Sequence, residues 1–132
     1  MKKSSFEFFT PELISLNFHM NDRFDDPDQI TSNISTKTDV KIHKELPKAY
    51  VQLTMSSDES NNFPFCFDVT MGVEVHWEAD CESQMINSVL KNNVPAMLLS
   101  YIRPIISILT SNSGYPAFNI PFLDFRNSDK EN

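Results

Sequence analysis

Three histidines, two cysteines and a run of aspartates are the side chains in this 132-residue chain with chemistry to offer. His19, His43 and His76 fall in three separate segments, each at a polar position of an alternating pattern. A transition-metal site would need carboxylates at matching register, and only Glu74 and Glu78 stand near a histidine, His76. Histidines spread this way read as solvated sheet residues. Cys66 and Cys81 match no zinc or redox spacing and read as reduced, half-buried thiols. Asp22, Asp25, Asp26 and Asp28 resemble a calcium loop without its central glycine and closing glutamate, which leaves a solvated turn. There is no GxSxG, and no base stands beside either cysteine to make it a nucleophile. Glycine occurs only at 72 and 114, so neither GxGxxG nor GxxxxGK can be written. The sequence calls for no cofactor and no metal, and it does not read as an enzyme.

What the chain has in excess is apolar surface. Its aromatic residues are 11 Phe against three Tyr and one Trp, with six Met besides. A net charge of −7 argues against nucleic acid or an anionic membrane as the main partner, since both demand positive charge. The length suits one domain, residues 1–132 with a polar tail from about 126, able to bury a core without staples. Met1-Lys2-Lys3 imitates the start of a signal peptide, but Glu7 and Pro11 interrupt the apolar stretch that should follow. Residues 94–109 are the most apolar, yet Arg103, Pro95 and Pro104 make them fall short of a membrane span. The expectation is a cytoplasmic protein with no membrane insertion.

The periodicity predicts the elements that carry these residues. From 63 to 78 every odd position is apolar, from Phe63 through Phe67 and Val73 to Trp77, which is the pattern of a long half-buried strand. Residues 30–46 alternate likewise, with Ile30, Ile34, Val40, Ile42 and Leu46 sharing a face with Ser32, Thr36 and Thr38. Ala49, Val51, Leu53 and Met55 form the next strand, joined to it by a short link at Pro47. Ile14, Leu16, Phe18 and Met20 make the first strand, and residues 21–29 an acidic crossover loop around Phe24. After Trp77 the period becomes helical: Met85/Val89 and Ile86/Leu90 are i,i+4 pairs, with Asp80 as cap and Asn92-Asn93 as stop. A second helix runs from Pro95 to Asn112, kinked or broken at Pro104, with Gly114 turning the chain beyond it. Its apolar residues circle nearly the whole axis, so it needs cover on more than one side, which self-association would supply. The architecture expected is α+β: a four-stranded antiparallel sheet followed by two helices packed on one face.

Residues 94–125 read VPAMLLSYIRPIISILTSNSGYPAFNIPFLDF, with Pro95, Tyr101, Arg103, Gly114, Tyr115, Pro116, Phe118, Ile120 and Phe125 as landmarks. This resembles the C-terminal half of the SecB family of protein-export chaperones. The family pattern is a Pro and an apolar run before Tyr-x-Arg, a helix, then Gly, an aromatic and Pro, Leu-x-Leu, and a closing Asn-Phe. Pro104 stands where the family has an acid, the closing proline is displaced to Pro121, and Asp124 replaces the asparagine. The resemblance implies an ATP-independent holdase: a homotetramer, built as a dimer of dimers, that binds unfolded polypeptide clients. It implies a client groove beside the second helix and the crossover loop, for which Phe24, Met97, Leu98, Tyr101, Ile102, Ile105 and Tyr115 are the candidates. It implies also a negative sheet face, here Glu12, Asp68, Glu74 and Glu78, that would dock the SecA motor. Tyr101 and Arg103 lie about 200° apart on a helix, so they cannot share one groove, and a structural role is expected of both. Two other readings stay open: a fixed-partner adaptor of the toxin–antitoxin kind, and a small-molecule pocket between sheet and helices.

Overall fold

The strand with the strictest alternation, β5 (Phe65–Trp77), is the axis of the sheet. Its odd positions from Phe65 to Val75 are 4 % exposed or less in this computed structural model, which describes residues 6–25, 30–31, 33–57 and 62–126. Strand β4 (Lys48–Ser57) pairs antiparallel along one side of it, setting Ala49, Val51, Leu53 and Met55 opposite Val75, Val73, Met71 and Val69. These eight apolar side chains lie on one face and are the floor of the core. Strand β3 (Ile34–Ile42) forms a hairpin with β4 and is the outer edge.

The other side of β5 is shared by two strands in succession. β1 (Phe6–Phe8) covers Val75 to Trp77, and β2 (Glu12–Met20) covers Phe65 to Gly72. The sheet therefore has five strands, not the four expected. Three residues are too few for a period to register, and Pro11 separates β1 from β2. Between Leu13 and Ser15 the register slips by one: Leu13 opposes Met71 and Ser15 opposes Thr70, leaving Ile14 as the extra residue of a β-bulge. β3 starts at Ile34 instead of 30, and Ile30 lies outside it, exposed. Phe63 and Pro64 are buried but precede β5. Asp26, Asp28, Ser32 and the tail from 127 lie outside the described residues.

The two helices expected are one. α1 (Ser83–Ser88) passes through a π turn (Val89–Asn93) into α2 (Val94–Ser111), giving 29 continuous residues. Asn92-Asn93 widens the helix without stopping it, because Leu90 and Val94, on either side, are both held in the core. The cap position falls to Glu82, with no side-chain bond, and not to Asp80. Nor does Pro104 divide the helix. Its ring stands on the exposed side of the helix, as does Ser100, whose carbonyl it cannot serve. By length and composition alone this helix would suffice to cross a membrane. Here α2 instead packs on β4 and β5 through Val94, Leu98, Leu99, Ile102, Ile106 and Thr110.

Beyond Gly114, whose φ of +89° only glycine adopts without strain, the chain returns along α2 as an irregular strap, residues 116–126. Ile120 and Phe125 anchor it in the core. Helix side chains fasten it: the Phe118 N–H donates to Thr110 Oγ1 (2.8 Å), Ser107 Oγ to Asn119 Oδ1 (3.1 Å), and Arg103 Nε to the Ile120 carbonyl (2.7 Å). Asn92, with its amide turned to donate, reaches the Phe125 carbonyl at 3.2 Å.

Candidate functional site

Helix and strap cover β4 and β5 but leave the β2 edge of the same face open. Leu13, Leu16, Phe18 and Met20 oppose Met71, Val69, Phe67 and Phe65, so they continue the core surface outward. Leu13 is 48 % exposed, Leu16 39 % and Met20 36 %, and the bulged Ile14 is open as well. At the neighbouring end Phe8 and Phe9 are exposed too. A single small protein seldom presents so long a row of large apolar side chains without something to cover it. The alternation of β2 was legible in the sequence; that nothing would cover it was not, because that depends on where the helix lies.

The row ends in an aromatic cluster. Phe18 packs on Phe65 (6.0 Å between centroids), Phe65 on Tyr115 (6.3 Å), and Tyr115 edge-on to Phe24 (5.5 Å). Phe63 joins Phe65 to Phe118 of the strap. Phe24 is placed there by a turn in which its N–H bonds to the Asn21 carbonyl, while the Asn21 side chain donates to the Phe63 carbonyl.

Of the seven groove candidates, Phe24 and Tyr115 are thus brought together. Leu98 and Ile102 are 0 % exposed and belong to the core under the helix. Nothing could touch them without unpacking it. Met97, Tyr101 and Ile105 line another flank of α2, with the exposed Ile108, about 160° round the axis from Arg103 and the strap. Tyr101 is 47 % exposed and does not pack inward. Arg103 points the other way, its guanidinium bonded to the strap carbonyl and 4.4 Å over the ring of Phe122.

The opposite face of the sheet carries three of the four acidic candidates, Glu12, Asp68 and Glu74, and is of mixed charge. The bulge puts Glu12 opposite Gly72, on the same face as Asp68 and Glu74. Asp68 accepts from Ser56 Oγ (2.9 Å), and His76 Nε2 donates to Glu74 Oε2 (2.7 Å). Glu78 lies just past the end of β5, exposed. Glu12, Asp68 and Glu74 follow β2 and β5, whereas Lys37, Lys41 and Lys48 follow β3 and β4, with Asp39 between the first two lysines. Lys41, His43, Lys48, Tyr50 and Glu74 surround a shallow cavity of about 230 Å³. Burial first, then the charges of Glu12 and Glu74, raise the Tyr50 phenol above its ordinary value. His19 and His43 face other neighbours: His19 Nδ1 meets the Met20 carbonyl, and His43 Nδ1 accepts the Glu45 and Leu46 N–H groups. The described residues hold no group of three or more His, Cys, Asp or Glu that could bind a metal.

The profile of the family described as SecB, preprotein translocase subunit SecB, matches residues 10–128. Among curated proteins, none matches the chain in sequence. Among solved structures, the fold is similar to the Mycobacterium tuberculosis Rv1957 SecB-like chaperone, solved in complex with a ChAD peptide from the Rv1956 HigA1 antitoxin. That likeness has a TM-score of 0.71 at 14 % identity, over 90 % of this chain and 91 % of that one. A Streptococcus agalactiae protein of unknown function is similar at a TM-score of 0.55 and 9 % identity, over 89 % of this chain and 97 % of that one.

Proposed function

The chain belongs to the SecB family, and on that premise we propose that it is an ATP-independent holdase that binds extended, non-native polypeptide. The observation that carries this reading is the open row of Leu13, Ile14, Leu16 and Met20, leading to the Phe24–Tyr115 pair. An extended chain could lay alternate apolar side chains along such a row, and its binding withdraws the unfolded state from aggregation by mass action. Met97, Tyr101, Ile105 and Ile108 then serve a different purpose. They are the flank against which further copies pack to make a tetramer.

Replacing Leu16 and Met20 together with Lys tests the reading. Both are exposed, so the melting temperature should hardly move. Suppression of aggregation of a denaturant-unfolded model client should fall at least tenfold. Undiminished suppression would overturn the assignment. The adaptor reading draws support from the similar chaperone solved with an antitoxin peptide. Saturable binding of one peptide, with no capture of unrelated unfolded chains, would favour it. For the acids Glu12, Asp68, Glu74 and Glu78 we propose docking of a basic partner surface, in export the SecA motor, from a cytoplasmic location. Such an association should weaken with salt.

A further inference from the structure

The sequence has three arginines: Arg23 is exposed, Arg126 forks onto Asp124 at 3.1 Å, and Arg103 is half-buried. Arg103 spends only its Nε–H, on the Ile120 carbonyl, and stacks one face on Phe122. No carboxylate meets it among the described residues, although the chain has 18 acidic residues. The remaining edge of a guanidinium, with its terminal N–H groups, is the fork that grips a carboxylate bidentately. Around Arg103, between helix and strap, opens a cavity of about 300 Å³ lined by Ser100, Pro104, Ser107, Asn119 and Ile120. Ser107 fixes the Asn119 amide by donating to its oxygen, which leaves the Asn119 NH2 as a second unspent donor at the same cavity. Its polar lining sets it apart from the apolar row on β2. Phe122, 81 % exposed, holds the guanidinium plane from outside.

We propose that this cavity is a carboxylate-binding subsite that takes the acidic group of a bound polypeptide. The inference rests on the polypeptide-binding reading and adds a specificity to it. It runs against the global field: a protein of net charge −7 repels acidic peptides at long range, so a preference for them can arise only from a local cation. The group could be an aspartate or glutamate side chain or a free C-terminus, and both offer the same pair of oxygens.

The test varies the ligand first, which leaves the strap's own bond to Arg103 undisturbed. Four labelled, unstructured apolar peptides are compared by fluorescence anisotropy: central Asp or central Asn, each with a free or an amidated C-terminus. Peptides with the favoured carboxylate should bind about tenfold tighter than the neutral one, the worth of one charge-assisted hydrogen bond. The pair that shows the difference tells side chain from terminus. In the protein, Asn119→Asp keeps the acceptor for Ser107 and supplies Arg103 with an internal carboxylate. That variant should lose the preference, so that the carboxylate-bearing and neutral peptides bind it alike. Equal affinity for all four peptides, or a preference that survives Asn119→Asp, overturns the subsite and leaves the polypeptide reading standing. Binding of none of the four overturns both.

Discussion

Gly72 is the one residue of β5 with no room for a side chain. A Cβ there would lie 2.6 Å from Cε2 and 2.7 Å from Cζ of Tyr50, whose ring crosses over it from β4. An isolated glycine in a strand signals such an approach, although the sequence alone does not say from which neighbour. Gly72→Ala should cost about 1–2 kcal/mol by displacing that ring. In a Tyr50→Ala background the same change should be neutral or stabilising, because alanine loses less backbone freedom on folding. Chemical denaturation of the four proteins closes the cycle, and additive effects would deny the contact. Tyr50 also links stability to pH. The folded state holds the phenolic proton more tightly than the unfolded chain, whose value is near 10.0. Stability from this group is therefore complete below that value and falls as pH rises through the folded one. Denaturation between about pH 9 and pH 11 should show the loss, and Glu12→Gln should reduce it. The opposed directions of Tyr101 and Arg103 were legible from two residues of helical spacing. The burial of Leu98 and Ile102 was not, because a helix apolar all round has no stripe to say which side meets the sheet.

At the scale of elements, Pro104 is a costly local choice. It removes an N–H from the interior of α2 and crowds the preceding turn. Pro104→Ala should stabilise the protein by about 1–3 kcal/mol, read as a higher urea midpoint at unchanged slope. A lower midpoint would mean that the ring packs where the structure leaves it exposed. The strands were the legible part of the fold. Period two in β5 and β4 survives into the structure because both are covered on one face only. Errors gathered where local and tertiary signals part. Two asparagines disfavour a helix, yet packing of Leu90 and Val94 carries it through as a π turn. Glu12 could not be phased from the sequence, because a bulge is an insertion invisible to a periodic template.

For the whole molecule the open question of cover becomes one of copies. Tyr101 and Ile108 stand 47 % and 64 % exposed on the α2 flank away from the strap. Ile108→Glu, which disturbs no buried contact, should shift a tetramer to dimers or monomers in light scattering coupled to gel filtration, with helix content retained. A wild-type monomer at micromolar concentration would remove the premise. The strap has a consequence in time. It is tied to α2 by side chains and not by a strand ladder, through Thr110, Ser107, Arg103 and Asn92. Such a segment should open before the sheet does, and its amides should exchange with deuterium orders of magnitude sooner than those of β5. A ligand lodged between strap and helix then has its residence governed by the latch as well as by its own contacts. Loosening a tie outside the cavity, for instance with Thr110→Val, which removes the acceptor of the Phe118 N–H, would shorten that residence while leaving Ser100, Arg103, Ser107 and Asn119 in the lining.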